Sequence, residues 1–342
     1  MDFTSQPLLA QSLKPGDTLG FFSASSPVTV TAPHRFARAQ RFLQDKGFSL
    51  KGGNLTGKAD FYRAGTIAER AEELNQLLRD PQVRCVMSTI GGMNSNALLP
   101  YLDYDAIRAD PKIIIGYSDT TALLLGIYAK TGLITFYGPA LVASFGEFPP
   151  LVDVTWNAFS DLLTSSPTLP YTYPLPDVWS DEKLNWDTRT PERPKTLYPN
   201  DCRFLGSGSV TGRVIGGNLN TLSGIWGSPY MPAIRHGDIL FIEDSLKDIA
   251  TVERAFSMLK INGVFDRVSA VLLGKHELFN DANSGRRPVD VLLEVMNDKR
   301  LPIVDGFDCC HTHPMLTLPL GGKIAIDFDR QKVAILAPYL LP

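Results

Sequence analysis

Ile113-Ile114-Ile115-Gly116-Tyr117-Ser118-Asp119-Thr120 decides the fold: three β-branched apolar residues, a glycine, then a hydroxyl and a carboxylate ahead of the apolar run 122–129. The pattern reads as a buried strand that turns sharply into a helix. Two later apolar runs end in the same manner. Glu243 follows Asp238-Ile239-Leu240-Phe241-Ile242, and His311 follows Ile303-Val304-Asp305-Gly306-Phe307 by a short turn. Open α/β sheets form their sites at the carboxyl ends of strands. A serine, a carboxylate and a histidine at three such ends are what a nucleophilic hydrolase needs, and the order Ser…Glu…His is one of several such triads use.

Outward from this stretch, the first half alternates strand-like and helix-like segments. Strands are expected at 18–22, 83–88, 113–115 and 134–137, with helices at 35–46, from Ile67 onward and at 120–130. Thr66-Ile67-Ala68-Glu69 is a capping box. This alternation predicts a largely parallel sheet covered by helices. Residues 165–200 break the pattern, being dense in Pro, Trp, Tyr and charge without a period. A structureless stretch of that length is either a linker or a functional loop over a site. Trp179 and Trp186 within it favour the loop. Beyond Gly206, strands are expected at 209–216, 238–242, 268–273 and 303–304, helices at 218–225, 249–259 and 289–296, and a terminal hairpin at 323–328 and 332–336. The expected organisation is an N-terminal α/β domain at 1–164, a Trp/Pro-rich linker and substrate loop at 165–205, and a C-terminal domain at 206–342.

The chain has 342 residues, enough for two domains, with 44% hydrophobic and 20% charged residues and a net charge of −3. That balance gives no nucleic-acid footprint and no basic membrane surface. The first seven residues lack a basic leader, and no apolar run approaches the ~20 residues of a membrane span. The sequence reads as soluble and cytoplasmic. Of the four cysteines, Cys85 reads as a buried thiol, and Cys309-Cys310 as small-residue packing rather than redox or metal chemistry.

Each candidate site residue has a plainer reading beside the chemical one. Ser118 or Asp119 caps the following helix, or Ser118 is a nucleophile and the Asp119 amide an oxyanion donor. Gly91-Gly92 is a tight turn, or the Gly92 amide is a second donor. Glu243 is a strand-end acid, or it orients His311. His311 follows a buried-type strand, and a neutral imidazole there can take a serine proton. His34 and His236 read as surface residues. His276 and His313 lie near candidate sites without a distinct partner. His311-Thr312-His313 lacks the further ligands of a zinc site, so no metal or other cofactor is expected.

The sequence resembles the LD-carboxypeptidase family of serine peptidases over its whole length, and within it the subgroup that gives immunity to microcin C. The resemblance is carried by Tyr62-Arg63-Ala64-Gly65-Thr66, Ile90-Gly91-Gly92, Asn94-Ser95-Asn96, Gly116-Tyr117-Ser118-Asp119, Tyr137-Gly138-Pro139, Gly212-Arg213-Val214-Ile215-Gly216-Gly217-Asn218-Leu219, Ile242-Glu243-Asp244 and Thr317-Leu318-Pro319-Leu320-Gly321. It implies a Ser118–His311–Glu243 triad and oxyanion donors from Gly92 and Asp119. It implies an α/β domain followed by a mostly β, swivelling-type domain, with the site between them, and a homodimer. Cys310 departs from the glycine or serine usual before the histidine. The Trp-bearing loop implies that Trp186 stacks on an adenine, with substrate contacts from Asn220, Lys247 and Glu277. The activity implied is hydrolysis of the amide between an acidic aminoacyl group and a nucleotide, with neither membrane nor nucleic-acid partner. The alternatives are cleavage of murein tetrapeptides and a non-catalytic cleft-binding protein.

Overall fold

The computed structural model describes residues 7–164, 167–186, 192–297 and 301–342. Ile113–Gly116 is a strand with all four residues buried. It lies inside a sheet formed by β1 (Thr18–Phe22), β2 (Ser49–Gly52), β3 (Val83–Ser88), β4 (Ile113–Gly116) and β5 (Thr135–Tyr137), in the order β2-β1-β3-β4-β5. All four pairings are parallel. Parallel strands buried on both faces read as continuous apolar runs, as β1, β3 and β4 do. The helix Ile67–Arg79 starts at the expected capping box: the Thr66 amide donates to the Glu69 carboxylate at 2.8 Å, and the Glu69 amide to Thr66 Oγ1 at 3.2 Å. Among the elements that go beyond the sequence expectations are β2, an edge strand with little apolar content, and the helix Leu151–Leu163.

The long middle segment, where described, contributes short strands: β6 (Tyr171–Thr172), and β7 (Val178–Trp179) paired with β8 (Tyr198–Pro199). Of this segment, 165–166 and 187–191 lie outside the described residues. The second sheet continues with β9 (Arg203–Leu205), β10 (Ser209–Asn218), β11 (Ile239–Glu243), β12 (Ala270–Gly274) and β13 (Ile303–Phe307). Strands β10 to β13 run parallel, with β9 antiparallel at the edge. After β14 (Leu318–Leu320) come β15 (Lys323–Asp327) and β16 (Lys332–Ile335), the expected antiparallel hairpin. The hairpin extends the second sheet from β10 and carries β6 on its outer edge.

β14 leaves this half of the chain and pairs antiparallel with β5, at the edge of the first sheet. The rings of Tyr137 on β5 and Phe241 on β11 also meet edge-on, 4.9 Å apart. The carboxyl ends of β4, β5, β10, β11 and β13 therefore face one region.

The loops around that region are pinned by Arg70, a fully buried guanidinium on the helix Ile67–Arg79. It donates to the carbonyls of Gly65 (3.0 Å) and Ala24 and to Asn94 Oδ1 (2.8 Å). Those bonds join the turns after β1 and β3. Arg70→Met keeps the stem but strands two buried carbonyls and the partly buried Asn94 Oδ1, at ~1–3 kcal/mol for each buried group. The expected loss is about 3 kcal/mol or more, read as a lower urea midpoint; an unchanged midpoint contradicts the assignment.

Candidate active site

Ser118 sits in the left-handed region with φ +60, rare for a residue with a side chain. Such a conformation costs ~1–3 kcal/mol and persists only where its surroundings enforce it. Ser118–Thr120 forms a single tight turn, and the helix proper runs Thr121–Thr131 with Thr120 at its cap. Neither Ser118 nor Asp119 therefore caps that helix, contrary to the plainer sequence reading. The Ser118 amide donates to the Tyr137 hydroxyl at 3.0 Å, and its carbonyl accepts from Thr121 Oγ1 at 2.6 Å. The Thr121 hydroxyl in turn accepts the Asn218 amide at 3.1 Å, so the elbow is held from both sheets. Gly91 packs directly on it: a Cβ there would meet Ser118 Oγ at 2.8 Å and the Asp119 amide nitrogen at 3.0 Å. The Gly91-Gly92 backbone thus passes within contact of the serine, as only glycine allows.

Asp119 points away from the cleft and is buried. Its carboxylate accepts from Ser25 Oγ (2.5 Å) and from the amides of Asn94 (3.1 Å) and Ser95 (2.9 Å). The side chain therefore fixes the turn after β3 against the elbow.

Glu243 ends β11 and is wholly buried. A buried carboxylate is tolerated when it is paired and hydrogen-bonded. Here Oε2 meets His311 Nδ1 at 2.6 Å, while Oε1 accepts from the Tyr137 hydroxyl at 2.6 Å and from Asn218 Nδ2 at 3.0 Å. Burial pushes the Glu243 carboxyl up, but His311 and the two other donors outweigh it, and the net shift is downward. Burial likewise pushes the His311 imidazole down, but Glu243 outweighs it and the net shift is upward. The Tyr117 ring stands edge-on to His311 at 4.9 Å. Asp244 lines the cleft, and burial together with Glu243 raises its carboxyl to about 6.

One cleft of ≈ 690 Å³ brings the sequence candidates together. Gly92, Ser118, Trp186, Asn220, Lys247, Glu277 and His311 line it, with Asp119 and Glu243 behind the wall. The Trp186 ring lies on the Arg35 guanidinium, 4.2 Å from its centroid. Glu277 is partly buried, and burial pushes its carboxyl up. The short helix Leu219–Ser223 is capped by Asn218, whose side chain accepts the Thr221 amide, and not by Asn220. His34 and His236 are surface residues. Cys85, Cys309 and Cys310 are buried, and burial raises all three thiols, so none is a ready thiolate. Among the described residues no group of three or more His, Cys, Asp or Glu could hold a metal, and no helix is long and apolar enough to cross a membrane.

Tyr137, Asn218 and Arg35 hold positions in the site that the sequence alone assigns to none of them. Tyr137-Gly138-Pro139 follows a strand beside the elbow, which is the signal that was there to use. The geometry suits acyl transfer. A serine on a strained elbow, an imidazole held by a carboxylate and a glycine turn against the serine share one cleft.

Family models for the LD-carboxypeptidase N-terminal and C-terminal domains match residues 19–138 and 211–326. The microcin C7 self-immunity protein MccF of Escherichia coli is 66% identical over 99% of both chains. A putative carboxypeptidase of Vibrio cholerae serotype O1 is 64% identical over 94% of this chain and 96% of its own. The solved structure of MccF in complex with aspartyl sulfamoyl adenosine superposes with a TM-score of 0.96 at 67% identity, covering 98% of this chain and all of the other. On these matches and this fold, the chain belongs to the LD-carboxypeptidase family.

Proposed function

We propose that this chain is a serine hydrolase that cleaves the amide between an acidic aminoacyl group and a nucleotide, and so disarms a nucleotide-peptide antibiotic. The carrying observation is the 2.6 Å Glu243–His311 pair in the cleft of the strained Ser118 elbow. Ser118 Oγ attacks the carbonyl while His311 takes its proton and passes it to the leaving nitrogen. Glu243 orients His311 and stabilises the imidazolium. The Gly92 and Asp119 amides receive the oxyanion. Water then releases the acyl group by the same path. The proposed domain division is that of the sequence reading, with Ser118 on the first domain and Glu243 and His311 on the second.

The substrate class rests on the near relative. Solved structures of MccF include complexes with glutamyl sulfamoyl guanosine and aspartyl sulfamoyl adenosine, a W186F variant with adenosine monophosphate, and an active-site variant S118A/N220A/K247A. This chain has Ser118, Trp186, Asn220 and Lys247 on one cleft. Trp186, backed by Arg35, offers its free face to a base, and Asn220, Lys247 and Glu277 serve the polar remainder. A homodimer in the cytoplasm is part of the same proposal. The second reading is cleavage of murein peptides, favoured by a probable murein peptide carboxypeptidase of Bacillus subtilis that is 29% identical over 95% of this chain.

Two measurements test this. Stacking on a base is worth about 1–3 kcal/mol, so Trp186→Ala should lower kcat/KM on an aspartyl-adenylate analogue by roughly ten- to a hundredfold. A murein tetrapeptide, which has no base, should be nearly indifferent. Equal losses on both would sink base recognition, and a wild-type preference for the tetrapeptide would put the second reading first.

The pH profile tests the triad. His311 must be neutral to act as a base, and Glu243 holds its proton on to a pH above the ordinary ~6.5. kcat/KM should therefore rise with pH through an ionisation above that value. Tyr137→Phe removes a hydrogen bond that stabilises the Glu243 anion. The carboxylate then holds the imidazolium more tightly, and the limb moves to higher pH. A limb at or below ~6.5, or one that does not move in the variant, contradicts the assignment.

A further inference from the structure

The turn after β3 carries the Gly92 amide, and the elbow carries the Asp119 amide. Among the described residues neither N–H donates a hydrogen bond within the protein. The two backbones are in contact: a Cβ on Gly91 would stand 3.0 Å from the Asp119 nitrogen and 2.8 Å from Ser118 Oγ. Two such amides serve a developing oxyanion only if their spacing is held, because a donor that must reorganise loses its advantage. What holds the spacing is therefore part of the chemistry.

The glycine turn is clamped on both sides of Gly92. Before it, the Gly91 carbonyl accepts the Ser26 amide at 3.2 Å. After it, the Asn94 and Ser95 amides both donate to one oxygen of the Asp119 carboxylate, Oδ2, at 3.1 and 2.9 Å. The Asp119 carbonyl also accepts Ser95 Oγ at 2.6 Å. Met93, between the clamps, is 76% exposed and fixes nothing. Ser25 lies under the turn: a Cβ on Gly92 would meet Ser25 Cβ at 2.3 Å. Its hydroxyl donates to the same Oδ2 at 2.5 Å and accepts the Asn94 amide at 3.2 Å. Arg70 holds the neighbours of both groups, the Ala24 carbonyl and Asn94 Oδ1.

The residue that offers one amide thus carries the carboxylate that anchors the segment offering the other. We propose that the Asp119 carboxylate, seated by the Ser25 hydroxyl, is a positioning group that sets the Gly92 amide against the Asp119 amide. The inference rests on the serine-hydrolase reading above. Neither side chain touches substrate; both act through the backbone. Bonds to an ionised acceptor are about twice as strong as neutral ones, which suits a clamp. A shift of ~1 Å in a positioned group can cost ~10²-fold in rate.

Hydrolysis of an aspartate α-ester and of the matching thionoester tests the proposal. Sulfur is larger than oxygen and a poorer hydrogen-bond acceptor, so the preference for the oxygen ester reads the fit of the two amides. The wild type should prefer the oxygen ester strongly. In Asp119→Ala, kcat on that ester should fall about 10²-fold with KM within a few-fold, and the preference should collapse. Asp119→Asn keeps one acceptor oxygen and should recover most of it. Ser25→Ala removes only a hydroxyl and should lower the preference in the same direction, about tenfold or less, with the His311 limb of the pH profile unmoved. If Asp119→Ala does not fold, Ser25→Ala decides. An unchanged preference in Ser25→Ala, or equal losses on both esters, overturns the proposal in favour of a packing role. A moved His311 limb also overturns it, because the pair would then act through the triad. A wild type that hydrolyses both esters without preference overturns the oxyanion assignment and leaves the hydrolase reading standing. A wild type that hydrolyses neither contradicts the hydrolase reading, and the positioning role with it.

Discussion

Glu243 is the constraint on which the site depends. Its carboxylate is fully buried at the end of β11, and its three partners come from two other strands and a turn. Tyr137 comes from the first sheet, Asn218 from the end of β10 and His311 from the turn after β13. A buried charge with one partner removed is left uncompensated, at ~3–5 kcal/mol. The two sheets are thus tied together at the point where the chemistry is proposed to occur.

The Tyr137 hydroxyl has one proton, which goes to Glu243. Its oxygen is then free to accept the Ser118 amide. One group therefore spans the Ser118 elbow and the carboxylate that holds His311. The positive φ of Ser118 is affordable because its amide, its carbonyl and the glycine turn against it are all fixed. β14 adds a hydrogen-bonded tie between the halves by returning to the edge of the first sheet beside β5. A cleft between two such anchored halves can order a substrate that touches both.

The repeating apolar runs made β1, β3, β4, β11 and β13 legible, since parallel strands buried on both faces carry no polar alternation. The capping box at Thr66 marked a helix start from four residues alone. The candidates Ser118, Glu243 and His311 were legible because each follows such a run, and the structure brings Glu243 and His311 into contact. β2 was not legible, because an edge strand reading Ser-Leu-Lys-Gly has no apolar face. β14 is three residues long with Pro319 at its centre, and proline in a strand is confined to edges like this one. The Tyr137–Glu243 bond joins residues 106 apart in sequence. No local pattern announces such a contact. Nor could the sequence separate Asn218 from Asn220, because which of two nearby asparagines caps the helix depends on where β10 ends.

The most direct test of the Glu243-centred account is the rate at which a fluorophosphonate labels the protein. The account predicts a single adduct on Ser118, with a labelling rate that rises with pH as His311 loses its proton. In Glu243→Gln, with the fold confirmed by circular dichroism, labelling should fall by orders of magnitude, because the imidazole loses both its orienting partner and the charge that stabilises its protonated form. Labelling at another residue, or an unchanged rate in Glu243→Gln, would contradict it.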